Sequence, residues 1–255
     1  MTTLTARQSL ILETLRDRGT CTIAELAGDL GVSLETIRRD VRPLAAAREL
    51  VKRHGAVALP HVLGEAPFER RMRENAEAKR AIARHAAHLI GDGDSLMVDN
   101  GTTTSYFARE LLRKRNLTVV TNSSEVARTL ATVNGNRVYL AGGELNGANG
   151  GAFGPSAIAF AASFRVRHAV ISIAAVDAAF GLSDHELAEA EFARTVLNCG
   201  EHRMVLTDSS KFGCQALIRV AGFESADLLV TEAPPPAALR AAMSAANLRC
   251  NVASN

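Results

Sequence analysis

Residues 22–44 show the most regular pattern of apolar and polar positions in the chain, and it predicts two short helices joined by a turn. Thr22 and Glu25 suit a capping box, in which a hydroxyl and a carboxylate each satisfy a free backbone N–H. Apolar positions then recur at helical spacing as far as Gly31, which suits the left-handed end of the first helix. Ser33 suits the N-cap position of the second helix.

The second of these helices has two chemically distinct faces. Ile37, Val41 and Leu44 recur at i, i+4 and i+7, so they point to one side. The opposite side carries three basic residues: Arg38, Arg39 and Arg42. Such a helix fits a helix-turn-helix, whose second helix lies in the major groove of DNA. A solvated helix face is the alternative interpretation of three arginines.

The segments on either side favour DNA binding. Thr5 and Gln8 form another possible capping box, followed by apolar positions that predict an upstream helix. Downstream, residues 49–59 alternate in polarity and turn around Gly55, which predicts a small β-hairpin wing. Together these elements predict a winged helix-turn-helix domain over residues 1–60. Three residues near the turn of the wing are placed to reach phosphates: Lys52, Arg53 and His54.

Residues 61–75 look like a linker between two domains. Pro60, Gly64 and Pro67 punctuate this stretch, and a charged run follows them, which is typical of a solvated linker or the start of a helix. A helix over residues 76–90 is then expected to open a second domain that extends to residue 255.

The second domain alternates short apolar segments with helix-like segments. The apolar segments are 95–100, 117–122, 137–142, 168–177, 202–208 and 227–232, and the helical ones are 106–115, 125–133, 188–198 and 236–247. Continuous apolar strands separated by helices predict an α/β domain with a mainly parallel sheet covered on both faces.

Polar residues follow several of these predicted strands, where α/β sheets bind ligands. Residues 99–105 read DNGTTTS, and a glycine with three threonines at a helix start offers N–H groups, hydroxyls and the positive end of the helix dipole to a phosphate. The same residues also suit a simple N-cap. Gly142 and Gly143 allow close backbone approach, and Lys211 follows another strand, where it is able to neutralise an anion. We therefore expect a pocket for an anionic ligand.

Composition excludes several other classes of protein. The chain has 255 residues, of which 47% are hydrophobic and 22% charged, as is typical of a globular protein. Its formal net charge of +2 is too small to indicate nonspecific binding along nucleic acid. No apolar run reaches the length of a membrane span, and the N-terminus does not read as a signal peptide. Four scattered cysteines predict free thiols in a reducing cytoplasm, and no metal-ligand spacing or cofactor motif is present.

The first sixty residues resemble the DNA-binding domain of DeoR-family bacterial repressors. The similarity is carried by GVSLETIRRDVRPL (31–44) and LVKRHGAV (50–57). Ala56 replaces a frequent second glycine of the wing, and Pro43 predicts a kink or an early end of the recognition helix. DNA contacts are expected from eight residues: Ser33, Thr36, Arg38, Arg39, Arg42, Lys52, Arg53 and His54.

The rest of the chain resembles the DeoR sensor domain, which is related in fold to ribose-5-phosphate isomerase. The similarity is carried by DNGTTT, TVVTN, LAGGELN and DSSKFG, although the loop at 173–183 is shorter and poorer in glycine than is usual. The resemblance and the strand-end pattern together imply effector contacts from Asp99, Gly101, Thr102, Thr103, Thr104, Thr121, Asn122, Gly142, Gly143, Asp177 and Lys211.

The resemblance implies a repressor of a carbohydrate or polyol catabolic operon. A homodimer or homotetramer would bind double-stranded operator DNA until a phosphorylated effector relieves repression. LAGGEL, residues 150–154 and TEAPPP are most similar to the branch that represses glycerol-3-phosphate regulons, which favours glycerol-3-phosphate over the effector of another sugar-phosphate pathway.

An isomerase-like enzyme with an attached DNA-binding domain is the rival hypothesis. It would use residues suited to acid–base catalysis. The available residues are Asp177, Asp184, Glu189, Glu191 and Lys211. Glu189 and Glu191 are expected to face solvent on a helix, and the attached DNA-binding domain makes turnover unnecessary, so no catalytic residue is assigned.

Overall fold

A computed structural model describes residues 4–18, 20–47, 49–53, 56–58 and 67–253. The chain divides into two compact units, Met1–Pro67 and Phe68–Asn255. The first unit contains, in chain order, α1 (Ala6–Arg18), β1 (Thr20–Thr22), α2 (Ile23–Asp29), α3 (Leu34–Ala46), β2 (Val51–Arg53) and β3 (Ala56–Ala58).

The first unit has the expected winged helix-turn-helix architecture. Strands β2 and β3 pair in an antiparallel hairpin, which confirms the predicted wing. Strand β1 was not expected; it pairs with β3 and places the buried Cys21 opposite the buried Val57. The three helices and this small sheet enclose one apolar core, to which α3 contributes Ile37, Val41 and Leu44. The predicted inner face of the second helix is therefore confirmed.

Local capping chemistry fixes where these helices begin. The side chain of Thr22 accepts a hydrogen bond from the backbone N–H of Glu25, and the carboxylate of Glu25 accepts one from the N–H of Thr22, so the capping box is confirmed. The same exchange joins Thr5 and Gln8 ahead of α1. After α2, Gly31 takes the expected left-handed conformation, with φ +63°.

Pro43 does not end α3 early, so that part of the sequence prediction is wrong. The helix continues to Ala46, and the N–H of Ala47 still donates to the carbonyl of Pro43 at 2.9 Å. The proline lies on the exposed face of the helix. The buried Val41 and Leu44, on the opposite face, hold the last turn against the core. Burial of that face outweighs the one hydrogen bond that proline removes.

The second unit is built around a large sheet. It contains, in chain order, α4 (Phe68–Arg73), α5 (Ala76–His88), β4 (Ser95–Val98), α6 (Thr102–Glu110), β5 (Thr118–Thr121), α7 (Ser124–Leu130), β6 (Arg137–Leu140), α8 (Pro155–Ala162), β7 (Val166–Ser172), β8 (Ala175–Asp177), β9 (Gly181–Asp184), α9 (Leu187–Cys199), β10 (Gly200–Leu206), β11 (Ile218–Ala221), β12 (Leu228–Thr231), α10 (Ala237–Ala245) and β13 (Arg249–Val252). Short 3-10 helices cover Leu111–Arg113, Ser209–Lys211 and Phe223–Ser225.

Seven strands form a parallel sheet in the order β13-β12-β10-β7-β4-β5-β6. The chain runs from β4 outward to β6 and then returns to the other side of β4 with β7. The strand order therefore reverses between β4 and β7, and ligands of open α/β sheets bind outside the carboxyl ends of the strands at such a reversal.

Helices cover both faces of this sheet, as the apolar strands predicted. On β4, Leu96 and Val98 pack in one core cluster and Met97 packs in the other. Helices α5, α6 and α7 contribute to the first cluster, and α8, α9 and α10 contribute to the second. Burial on both faces explains why each central strand reads as a continuous apolar run.

The predicted strand over residues 168–177 is two strands in the structure. The chain leaves the large sheet after Ser172 and enters a second sheet of order β11-β9-β8 at Ala175. Strands β9, β11 and β13 and helix α8 were not expected from the sequence. An apolar run alone does not show where a strand changes sheets, because both segments are buried.

The helix α4 lies in the stretch that the sequence analysis assigned to the linker, and it belongs to the second unit. Phe68 is buried, and the hydroxyl of Tyr106 on α6 donates to the carbonyl of Met72 at 2.8 Å. Residues 59–66 lie outside the described part of the chain.

Candidate DNA-binding surface and effector site

The start of α3 is fixed by two of the predicted DNA-binding residues. The hydroxyl of Ser33 accepts the N–H of Thr36 at 3.2 Å, and the two hydroxyl oxygens lie 2.9 Å apart. Ser33 is therefore the N-cap that the sequence predicted. Because its hydroxyl is engaged with the helix start, Ser33 sets the position of the side chains that follow it.

The three arginines of α3 line one surface with the wing. Arg38, Arg39 and Arg42 surround a shallow groove of about 500 Å³ whose other walls include Ala56 and Val57 of β3. Arg38 has an exposed ion pair with Glu35 at 3.6 Å. An exposed pair of this kind contributes little to stability, so a DNA phosphate or base edge can replace the carboxylate at low cost.

Asp40 is a structural residue of α3 that the sequence analysis did not identify. Its position between Ile37 and Leu44 turns it toward the core side of α3, where it is 9% exposed. Its carboxylate pairs with Arg7 of α1, and its backbone carbonyl accepts from the side chain of Gln8 at 3.3 Å. These contacts brace the recognition helix against α1. The spacing of 37, 40 and 44 was the available signal, because it puts Asp40 with the apolar positions.

The basic residues of the wing are only partly described. Lys52 and Arg53 lie on β2, where their backbones pair with Val57 and Ala56 of β3. Their side chains, and His54 as a whole, lie outside the described residues. Phosphate contacts from these three residues stay a prediction.

The candidate effector site lies where the strand order reverses, between the carboxyl ends of β4 and β7. Both carboxyl oxygens of Asp99 accept the N–H of Ser172, at 3.1 and 3.0 Å. A Cβ at Gly101 would lie only 1.9 Å from the Ser172 hydroxyl, so the two strand ends approach as closely as glycine allows. Sequence reasoning did not identify Ser172.

The N-terminus of α6 is buried at the carboxyl edge of the sheet and carries no side-chain cap. Gly101 is its N-cap and has no side chain to accept the first N–H groups, which helix geometry leaves unpaired. The hydroxyl of Thr104 donates to the carbonyls of Asp99 and Gly101, both at 3.1 Å, so it holds the turn. Among the described residues, the hydroxyls of Thr102 and Thr103 have no hydrogen-bond partner. This end of α6 offers N–H groups, hydroxyls and a positive dipole to an anion.

Burial changes the charge of Asp99. It raises the pKa of this carboxyl to about 8, and the nearby Glu189 contributes to the rise. The hydrogen bond from the N–H of Ser172 acts in the opposite direction but does not offset burial. Near neutral pH the carboxyl is therefore mostly protonated, and it adds little negative charge to a site suited to an anion.

The end of β5 meets the loop 146–154. Thr121 accepts the N–H of Ser123 at 3.0 Å and so supports the turn into α7. Asn122 is completely buried, and its side-chain NH₂ donates to the carbonyl of Ala152 at 2.9 Å. The N–H of Ala152 donates back to the carbonyl of Asn122 at 2.8 Å. The loop is thereby fastened to the carboxyl edge of the sheet.

The same loop also reaches α9. The side chain of Asn149 donates to the carboxylate of Glu189 at 2.7 Å. Glu189 was expected to face solvent, and that expectation is wrong, because α9 turns this residue toward the ends of the strands. Asn149 was not identified from the sequence.

Gly142 and Gly143 are not gathered into the site. Both are exposed after β6, the edge strand of the sheet, and a Cβ at Gly142 would meet no atom within 4 Å. Gly143 has φ +149°, a conformation that favours glycine, and a Cβ there would lie 3.5 Å from the carbonyl oxygen of Phe153 in the loop 146–154.

Asp177 has a local role in the second sheet. Its Oδ1 accepts the N–H groups of Ala179 and Phe180, each at 2.9 Å, in the turn between β8 and β9. These hydrogen bonds, of which that from Phe180 has the larger effect, lower the pKa of Asp177. The carboxylate is therefore committed to this turn rather than to the edge where β4 and β7 end.

Lys211 lies at the carboxyl edge of the large sheet, and a second cationic side chain, Lys79, interacts with it electrostatically. Lys211 ends the short 3-10 helix that follows β10. Lys79 of α5 is 4% exposed, and its ammonium donates to the carbonyl of Arg71. Burial lowers the pKa of Lys79, with Lys211 acting in the same direction and Asp208 in the opposite one. No sequence pattern pointed to Lys79, because α5 reads as an ordinary charged helix.

The described residues carry no group of three or more His, Cys, Asp or Glu side chains placed to hold a metal ion. None of the four cysteines is joined to another in a disulfide. Within the described ranges, no helix combines the length and the apolar character needed to cross a membrane.

Comparison with known proteins matches both units to described families. The DeoR-like helix-turn-helix domain matches residues 7–62, and the DeoR C terminal sensor domain matches residues 74–233. The chain is 34% identical to the glycerol-3-phosphate regulon repressor of Escherichia coli strain K12, over 91% of this chain and 92% of that protein. It is 32% identical to the transcriptional repressor AccR of Agrobacterium fabrum, over 89% and 88%.

The chain is also similar to a solved structure, ribose 5 phosphate isomerase A from Neisseria gonorrhoeae. The TM-score is 0.38 at 16% sequence identity, over 52% of each chain.

Proposed function

The chain belongs to the DeoR family of transcriptional regulators, and from that premise we propose that it represses a carbohydrate or polyol catabolic operon until a phosphorylated metabolite binds. The observation that carries the effector half of this proposal is the N-terminus of α6, which starts at Gly101 without a side-chain cap where the strand order reverses. We propose that residues 1–60 bind DNA and residues 76–255 sense the effector; of the segment 61–75 between them, α4 belongs to the second unit.

The DNA-binding half relies on the basic surface of α3. Thr36, Arg38 and Arg39 contact bases or the adjacent phosphates in the major groove, and Arg42 extends the positive surface. The wing residues Lys52, Arg53 and His54 contact the phosphate backbone. The operator is double-stranded DNA, and the proposed location is the cytoplasm, where a repressor meets its operator.

We propose a homodimer or homotetramer as the DNA-binding form. One recognition helix covers only a short stretch of sequence, and a two-fold assembly reads two half-sites of a palindromic or repeated operator. The effector changes operator affinity only if it binds one geometry of this assembly more tightly than the other.

The effector in this proposal carries a phosphate and hydroxyl groups. Its phosphate accepts hydrogen bonds from the first N–H groups of α6 and from Thr102 and Thr103, while Lys211 neutralises part of its charge. Glycerol-3-phosphate is the favoured effector, because the relative from Escherichia coli is a glycerol-3-phosphate regulon repressor. We assign no enzymatic activity, since the named relatives that match about nine-tenths of the chain are repressors.

A thermal-shift panel tests this function. Glycerol-3-phosphate, ribose-5-phosphate and fructose phosphates are each compared with the parent polyol or sugar. One phosphate ester should raise the melting temperature while its parent does not, since a ligand that binds the native state stabilises it by mass action. Loss of that shift in Lys211→Ala would support the assigned position of the phosphate. If no ester gives a shift with the wild type, the effector half of the proposal fails.

A further inference from the structure

We propose that Asn100 and Asn122 form a hydroxyl-binding subsite of the effector site, in which their side-chain oxygens accept hydrogen bonds from the polyol or sugar portion of the ligand. This inference rests on the proposed effector function and adds to it the part of the site that distinguishes a hydroxylated phosphate ester from phosphate itself.

The first support is that the side-chain oxygens of both asparagines are buried without a partner. Neither Oδ1 atom has a hydrogen bond to any described residue. Asn122 as a whole is completely buried. Buried polar atoms of folded proteins are nearly always hydrogen-bonded, so each one without a partner requires a group that completes it. Two such atoms at the carboxyl ends of neighbouring strands point to a missing donor.

The second support is the position of these residues in the fold. Asn100 follows β4 and Asn122 follows β5, and the two strands are neighbours in the parallel sheet. Both side chains lie against the loop 146–154. Asn122 donates to the carbonyl of Ala152, and a Cβ at Gly151 would lie 2.8 Å from the Nδ2 atom of Asn100. The loop therefore holds both amides at one place on the carboxyl edge.

The orientation of Asn122 is fixed by this contact. Its NH₂ group is used by the carbonyl of Ala152 at 2.9 Å, so its oxygen is the atom left for a ligand. A carboxamide oxygen only accepts hydrogen bonds. It therefore suits a hydroxyl, which has a proton to donate, and does not suit a phosphate dianion, which has none. This makes the effector contact that family resemblance implied for Asn122 a contact with a hydroxyl.

The two parts of the site are complementary in chemistry. Gly101 lies directly after Asn100, so the donors at the start of α6 and the acceptor oxygens follow one another along the edge. A small molecule with a phosphate at one end and hydroxyl groups two or three bonds away satisfies both sets. Inorganic phosphate satisfies only the donors, and an unphosphorylated polyol satisfies only the acceptors.

Titration calorimetry on the full chain tests the subsite with three probes. The probes are glycerol-3-phosphate, n-propyl phosphate, which has the same carbon chain without hydroxyls, and inorganic phosphate. The wild type should bind glycerol-3-phosphate more tightly than n-propyl phosphate by about tenfold for each hydroxyl that is held. In Asn100→Leu, which keeps the side-chain size and removes the acceptor, this ratio should fall about tenfold while the affinity for n-propyl phosphate stays the same.

Thr102→Val is the matched control. It removes a proposed phosphate contact from the neighbouring turn, so it should weaken all three probes by the same factor and leave the ratio between the two esters unchanged. Asn122→Leu is the second variant, although it also removes the hydrogen bond to Ala152. The subsite would be overturned if Asn100→Leu weakened both esters equally or left the ratio of the two affinities as in the wild type.

The melting temperature without ligand separates this inference from the function it rests on. If the wild type binds neither ester, the proposed effector has failed, and the stability of Asn100→Leu then decides about the subsite. Removing a buried acceptor that has no partner should leave the melting temperature unchanged or raise it, which would support a site for another hydroxylated ligand. A fall of more than about 3 °C would mean that the amide stabilises the empty protein, and it would overturn the subsite.

Discussion

Replacement of Asp99 by asparagine should change how the stability of the protein depends on pH. Burial raises the pKa of this carboxyl to about 8 in the folded protein, whereas an unfolded chain gives it a pKa of about 3.9. Between these two values the native state binds a proton that the unfolded state does not. The free energy of unfolding therefore falls as the pH rises through this window, and the contribution is fully lost above the folded pKa.

The expected magnitude follows from the size of the window. One such proton changes the free energy of unfolding by about 1.4 kcal/mol per pH unit, so the wild type should lose about 2.7 kcal/mol from this group between pH 5.5 and 7.5. For a domain of this size that corresponds to a fall of about 5–10 °C in melting temperature. The amide introduced by Asp99→Asn would not titrate, and its oxygen would still accept the N–H of Ser172.

Thermal unfolding followed by circular dichroism at pH 5.5, 6.5 and 7.5 and constant ionic strength measures this effect. Asp99→Asn should lose less stability than the wild type across this pH range. The difference in free energy of unfolding between the two proteins should therefore change by about 2.7 kcal/mol between pH 5.5 and 7.5. Asp177→Asn is the control, because the pKa of Asp177 is lowered and this carboxylate stays ionised in both states throughout the range. Parallel curves for Asp99→Asn and the wild type would refute the assignment of a raised pKa.

Three further substitutions test separate parts of the structure. Arg38→Ala should weaken operator binding by about 1–3 kcal/mol in an anisotropy titration while the calorimetric affinity for the effector is unchanged, and unchanged DNA affinity would remove Arg38 from the interface. Gly101→Ala places a methyl group against the hydroxyl of Ser172, so it should lower the free energy of unfolding by about 1–3 kcal/mol in urea. A stability equal to that of the wild type would show that the strand ends separate easily. Lys211→Ala should still repress a reporter operon but not respond to inducer, and a normal response would place the phosphate elsewhere.

Features set by neighbouring residues in the chain could be predicted from the sequence. The capping boxes at Thr5 and Thr22, the N-cap at Ser33 and the left-handed Gly31 all depend on contacts within about four residues. The alternation of strands and helices was also visible, because strands buried on both faces are continuous apolar runs.

Features that depend on distant contacts could not be predicted in this way. The side chain of Glu189 is held by a hydrogen bond from Asn149, which lies forty residues earlier in the sequence. The burial of Lys79 depends on how α5 packs against the rest of the second unit. The pairing of Asp40 with Arg7 joins two helices that local spacing treats as independent. Pro43 stays within α3 because burial of the opposite face outweighs the local preference of proline.

We propose that one small phosphate ester controls DNA binding through the second unit. An operator duplex is first selected from a random DNA pool by binding to the full-length protein. Its fluorescence anisotropy in complex with the protein is then followed as glycerol-3-phosphate is added. The ester should release the duplex, glycerol should not, and Lys211→Ala should keep the duplex bound in the presence of the ester. If calorimetry shows that the ester saturates the protein and operator affinity is unchanged, the ester does not control DNA binding.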